Sequence, residues 1–155
     1  MVEHNNISQH LCSGCRHSGL TRCRLGLVLE STPEREVRGR IVFAPEWSGA
    51  NGAAHGGFVA AVFDEMFGIA CATNGGWSVT ASLTISYRAP VPIDVPIAVH
   101  AWQEQHDGRK RIVRGELRRA DDDQLLADAH ALFIDLRVRP TREATRDASN
   151  ERDRA

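Results

Sequence analysis

No apolar run in this sequence approaches the roughly 20 residues that a membrane-crossing helix needs, so none of it reads as a helical span. Its opening stretch, MVEHNNISQH, is polar and lacks the apolar core of a secretory signal; a cytoplasmic protein is expected. Basic residues show no excess: 19 Lys and Arg face 20 Asp and Glu, giving a formal charge of -1, which argues against a nucleic-acid partner. Cysteine is sparse. The four present are Cys12, Cys15, Cys23 and Cys71, and without a secretory signal a reduced state is expected in place of a disulfide framework. Cys71 lies in an apolar helical segment and reads as inert core. Internal repeats are absent. Residues 139–155 hold no aromatic and no large aliphatic side chain, so they cannot bury enough apolar surface to offset chain entropy.

What is present fits one domain of 155 residues, with 42% hydrophobic and 25% charged residues, an ordinary balance for a chain with a real core. The expected organisation is a flexible N-terminus over 1–10, a folded domain over 11–138 and a disordered charged tail over 139–155. Leu25, Leu27 and Leu29, then Val37, Ile41 and Phe43, mark two strands separated by Ser31-Thr32-Pro33. A loop over 44–54 carries Pro45, Gly49, Asn51 and Gly52. Residues 56–73 (GGFVAAVFDEMFGIACAT) then read as a helix, stopped by Asn74-Gly75-Gly76.

Phe58, Val59, Val62, Phe63, Met66, Phe67 and Ile69 cover most of that helix's circumference, so it must be wrapped by other elements. The wrapping follows in sequence. Val79, Ala81, Leu83, Ile85 and Tyr87 alternate with Ser78, Thr80, Ser82, Thr84 and Ser86, predicting a strand with one apolar and one polar side. Further strands are predicted over 95–102, 111–119 and 125–138, the last with Leu126 and 132–136 as its apolar side, and with turns at Asp107-Gly108 and 120–123. One buried helix and about six strands joined mostly by short turns imply an α+β domain, a curved antiparallel sheet around a long central helix.

Two carboxylates, Asp64 and Glu65, sit side by side in the apolar helix. An ionised side chain in such surroundings costs several kcal/mol unless paired or solvated by a cleft. The plainer reading puts both on a solvent-exposed stripe; because adjacent helical residues point about 100° apart, one can instead be exposed while the other lines a pocket. His55-Gly56-Gly57 opens the helix and leaves first-turn N–H groups uncovered, where a polarised thioester carbonyl would be stabilised. The plainer alternative is a loop-to-helix turn that needs small residues. Gly57 and Asp64 stand seven residues apart, about 10.5 Å along the axis, too far for one carbonyl to meet both in one helix. Two antiparallel helices of a symmetric dimer would bring Gly57 of one subunit beside Asp64 of the other.

His-Gly-Gly with an acid nine residues after the His resembles the hotdog-fold acyl-CoA thioesterases of the phenylacetate-pathway and 4-hydroxybenzoyl-CoA types. The strand Val79-Thr80-Ala81-Ser82-Leu83-Thr84-Ile85-Ser86-Tyr87-Arg88-Ala89-Pro90 is similar to that of the group containing thioesterase superfamily member four; the likeness covers 25–136. It implies a hotdog fold and hydrolysis of an acyl-CoA, or of an acyl-carrier-protein thioester, in a homo-oligomer (a dimer, or dimers paired as a homotetramer). It further implies Asp64 as general base or nucleophile, the Gly57 N–H as oxyanion donor, His55 shaping the pocket and Thr80 holding the attacking water. No metal or cofactor is implied. Asn51, Gly56, Glu65, Ser82 and Arg88 are the expected substrate contacts, with Arg88 and the run 109–111 as candidates for the CoA phosphates.

One departure stands out. Many such thioesterases carry Asn or Gln six residues before the His, where this chain has Gly49; Asn51 is the nearby substitute. That departure favours the alternative, a non-catalytic acyl-CoA-binding or regulatory hotdog domain, whereas Asp64 and Thr80 together speak for hydrolysis. A dehydratase of the same fold would need a different Asp/His pattern. Cys12-x2-Cys15 with His17 and Cys23 has the residue types and part of the spacing of a zinc site. It also resembles the Cys-x2-Cys segment that precedes Gly-Leu in these thioesterases, echoed at Gly26-Leu27, and a packed, reduced loop is the expectation.

Overall fold

The computed structural model describes residues 25–31, 36–72 and 77–136. The expected flexible N-terminus, the Cys12–Cys15–His17–Cys23 segment, the turn at Pro33, the stop at Asn74-Gly75-Gly76 and the tail after 138 lie outside these residues.

Among the described residues, strands β1 (Val28–Ser31) and β2 (Glu36–Val42) come first. Two single 3-10 turns (Pro45–Trp47, Ala50–Gly52) lead into helix α1 (Gly56–Ala72), and β3 (Ser78–Tyr87), β4 (Pro96–Asp107), β5 (Lys110–Arg119) and β6 (Leu125–Asp135) follow. All six strands form one antiparallel sheet in the order β1-β2-β4-β5-β6-β3. The helix lies against one face of the sheet, touching β2 through β6. This is the expected α+β arrangement of one long helix against six strands.

Period-2 burial sets which side of each strand meets the helix. Val37 and Ile41 of β2, Ile97, Val99 and Ala101 of β4, and Val113 and Leu117 of β5 are buried. From the helix come Val59, Val62, Phe63, Met66, Phe67, Ile69 and Ala70, spaced to share one broad face. Close approach is bought with small residues: a Cβ on Gly115 would lie 2.6 Å from Phe67 Cε1. On β6 the buried side is Leu126, Ala127, Ala129, Ala131 and Phe133, while Leu132 and Ile134 are only half-buried. That corrects the apolar side expected over 132–136: within that run Phe133 is the buried residue, because side chains alternate along the strand.

Two further expectations change. The helix is not wrapped all round: Gly57, Asp64 and Ala72 are exposed and Ala61 and Gly68 half-buried, so one side stays uncovered in a single chain. Nor does β3 alternate strictly. Its register against β6 slips between Thr80 and Ser82, which pair with the consecutive residues Phe133 and Leu132. The bulge at Ala81 resets the side-chain phase. Before it, Thr80 shares the inner face with buried Phe133; after it, Leu83 and Ile85 pack on the core. β3 is also an edge strand, with Val79 47% and Tyr87 52% exposed.

Candidate active site

The start of α1 is built by a short chain of contacts. The His55 N–H donates to the Trp47 carbonyl at 2.8 Å, and the His55 carbonyl accepts from the N–H groups of Phe58 and Val59. His55 thereby caps the helix, and its imidazole folds back so that Nδ1 accepts the Gly57 N–H at 3.0 Å. The Nδ1 that accepts this bond carries no proton in this arrangement. The Gly57 N–H, expected as an oxyanion donor, is thus given to the His55 side chain in this structure. Phe58 stacks on Trp47 with centroids 5.0 Å apart, and His55 meets Phe58 edge-on at 6.1 Å. This aromatic platform beside Gly57 was not read from the sequence, where Trp47 lay in the loop and Phe58 on the helix with no signal joining them.

Two turns further along, Asp64 is exposed and Glu65 half-buried. The Thr80 hydroxyl donates to Asp64 Oδ1 at 2.5 Å, a short bond that fixes the carboxylate's rotamer. The Ala81 bulge makes this contact, because the unbroken alternation would have turned Thr80 to the outer face. Ser82 pairs with Leu132 on the sheet's outer side, away from Asp64. Desolvation of Asp64, the premise of the helix argument, does not occur within one chain.

Gly49 fits its neighbourhood as glycine: a Cβ there would lie 3.0 Å from His55 Cα. The backbone loop itself fills the space that a polar side chain would need. Asn51 is exposed with φ 56°, in the left-handed region that asparagine tolerates, and among the described residues no hydrogen bond joins its side chain to His55, Gly57 or Asp64.

Tyr87, in sequence only one member of an apolar alternation, also adjoins the helix start. Its hydroxyl donates to the Gly56 carbonyl at 2.8 Å. Together Ala53, Ala54, Gly56, Tyr87, Arg88, Ala89, Pro90 and Val91 line an open groove of about 390 Å³ at this end of the helix. Arg88 borders it, but its guanidinium holds Asp128 at 2.5 and 3.3 Å, and this hydrogen bond keeps the Asp128 carboxyl below the usual aspartate range. Any phosphate on Arg88 competes with that pair. Arg109 is also engaged, donating to the Asp135 carbonyl at 2.9 Å. Among the described residues no His, Cys, Asp and Glu cluster has metal-holding geometry, and no helix is long and apolar enough to cross a membrane.

The thioesterase superfamily pattern matches residues 51–126, the stretch holding His55, Gly57, Asp64 and Thr80. This central segment belongs to the thioesterase superfamily. Acyl-coenzyme A thioesterase THEM4 of Xenopus laevis is 34% identical over 92 residues, covering 59% of this chain and 41% of that protein. The chain therefore spans about two-fifths of the length of this curated relative. Among solved structures, PaaI of Escherichia coli, from the phenylacetic acid degradation operon, superposes with a TM-score of 0.68 at 17% identity, covering 71% of this chain and 83% of its own. A Streptococcus mutans protein solved with acetyl-CoA gives 0.69 at 17% identity, covering 74% and 91%. These two likenesses establish the hotdog fold.

Proposed function

We propose that this chain hydrolyses acyl-CoA thioesters to free acid and CoA, working as an assembly of at least two copies. The observation that carries the reading is the Thr80 hydroxyl bound to Asp64 Oδ1 on the uncovered side of a helix that opens with an N–H donor at Gly57. A carboxylate held in one rotamer beside a hydroxyl is equipped to take a proton from water, or to attack a carbonyl itself. At the helix start, a thioester oxygen displaces His55 Nδ1 and takes the Gly57 hydrogen bond as negative charge develops on it.

The two features lie about 10.5 Å apart along one helix. A second copy closes the gap if its helix runs antiparallel to the first, so that the Asp64 of each copy meets the Gly57 of the other. Two surfaces support such packing: the small-residue side of α1 and the long β3 edge with Val79 exposed. Burial there would also desolvate Asp64. The binding partner seen in the Streptococcus mutans neighbour, and the name of the Xenopus relative, favour a CoA thioester over other acyl donors.

One observation favours acyl-CoA binding without turnover, namely that Gly49 leaves no side chain to orient water near His55. Both readings face the same test. Thiol release is followed across short, long and aromatic acyl-CoAs with the wild type and Asp64→Asn. Release that depends on Asp64 supports hydrolysis; tight acyl-CoA binding with no thiol released from any member of the panel supports the binding module.

A further inference from the structure

We propose that Tyr87 is a positioning residue for the oxyanion donor, its hydroxyl fixing and polarising the one peptide unit that presents the Gly57 N–H. The role presupposes the donor function assigned above to Gly57. The Gly56 carbonyl and the Gly57 N–H belong to a single planar amide. Tyr87 Oη donates to its oxygen at 2.8 Å, while its N–H donates to His55 Nδ1 at 3.0 Å. A plane held at both ends cannot tilt freely. When a thioester oxygen replaces the imidazole, Tyr87 still holds the other end.

Polarisation acts in the same direction. A hydrogen bond accepted by the carbonyl draws electron density from the nitrogen and makes the N–H a stronger donor, by about 10–30% per bond. Losing a whole oxyanion donor costs about 10²–10³-fold in turnover. Weakening it by that fraction corresponds to roughly a two- to eightfold loss.

The local sequence fits this role in three ways. At Gly56 a Cβ would sit 3.2 Å from the tyrosine hydroxyl, so a side chain would crowd the donor off the carbonyl. At Gly57 a Cβ would sit 3.1 Å from His55 Nδ1. Each glycine of the His-Gly-Gly motif therefore clears space for a different partner of the same amide. The third point is the strand's phase. Thr80 and Tyr87 are separated by an odd number of positions, so a regular strand would aim them at opposite faces. The one-residue bulge at Ala81 brings both to the helix, Thr80 onto Asp64 and Tyr87 onto Gly56. One edge strand thus braces both the start and the middle of α1.

Tyr87 is the single tyrosine in the chain, which makes the test clean. Full-length protein is compared as wild type, as Tyr87→Phe, and with 3-fluorotyrosine supplied in place of tyrosine, which alters this position alone. Turnover and the NMR resonance of the Gly57 amide proton are read in each. Tyr87→Phe is expected to lower kcat about two- to eightfold with KM nearly unchanged, and to move the Gly57 proton upfield. The more acidic fluorinated phenol should hold or raise kcat and move that proton the other way. A Gly57 resonance unmoved in both proteins overturns the clamp, whatever the kinetics. In Tyr87→Phe, a moved resonance with unchanged kcat overturns the positioning role. Should Tyr87→Phe fail to fold, the fluorotyrosine protein carries the test alone, a displaced resonance supporting the clamp and an undisplaced one overturning it. If the wild type cleaves no acyl-CoA, the thioesterase reading has failed, and the amide resonance still reports separately whether the clamp exists.

Discussion

Replacing Asp135 by Ala should unfold this domain far more readily than the same change at Asp128, although both carboxylates grip an arginine. Arg111 is buried, its side chain 4% exposed, and it donates Nε and an Nη nitrogen to the two oxygens of Asp135 at 2.6 and 2.9 Å. Its other Nη donates to Gln103 Oε1 at 2.9 Å. Removing one partner of a buried pair strands the other charge, at a cost of about 3–5 kcal/mol. The Asp135 side chain is itself 21% exposed, so water entering the space relieves part of this, and about 2–4 kcal/mol is expected. At about 4–8 °C per kcal/mol for a domain near 100 residues, Tm should fall by roughly 8–30 °C. Arg88 and Asp128 are 55% and 35% exposed, and Asp128→Ala should cost only about 0–1 kcal/mol. Thermal unfolding of both variants at one protein concentration gives the comparison. Equal shifts, or a smaller one for Asp135→Ala, would refute the argument from burial. The same pair has a pH signature. The hydrogen bond from Arg111 holds the Asp135 carboxyl below the usual aspartate range. A depressed folded pKa gives stability that is complete above the unfolded value of about 3.9 and is lost as pH falls through the lower, folded one. That acid-side loss should be missing in Asp135→Ala.

Thr80→Val keeps the strand's shape and removes the hydroxyl on Asp64; kcat should fall, but by less than the about 10²–10⁴-fold expected for Asp64→Asn, as steady-state thiol release would show. Gly115→Ala pushes a methyl group to 2.6 Å from the Phe67 ring and 2.9 Å from the His100 carbonyl, and should destabilise by about 1–3 kcal/mol in denaturant melts.

Much of this was legible because the patterns were long. The apolar density of 56–73 and the turn residues between the later strands gave a helix followed by antiparallel hairpins, and the structure has them with shifts of a few residues at the ends. The Asp64–Thr80 and His55–Gly57 contacts are likewise at positions that the motif pointed to. What the sequence hid came from single-residue geometry. A bulge leaves no compositional mark, so the perfect alternation from Ser78 to Tyr87 concealed that Thr80 and Tyr87 face the same way. Apolar content was equally silent on which side of β6 is buried, since Ala127, Ala129, Ala131 and Phe133 are buried while the larger Leu132 and Ile134 are only half-buried. The all-round apolar character of α1 overstated its wrapping. Gly57, Ala61, Gly68 and Ala72 are small enough to leave one side uncovered, the side on which a second copy is proposed to pack.

That second copy is the core of the account, and mixed assemblies test it most directly. Asp64→Asn removes the carboxylate, and Gly57→Pro removes the N–H at a first-turn position where proline is tolerated. Each variant is first shown to fold and to associate. Alone, each should release no thiol from acyl-CoA. In a co-expressed mixed dimer one site inherits both defects and the other neither, so activity should return to up to about half of the wild-type value per dimer. A mixed dimer that forms and stays inactive, or full activity in a sample shown to be monomeric, would contradict the shared site.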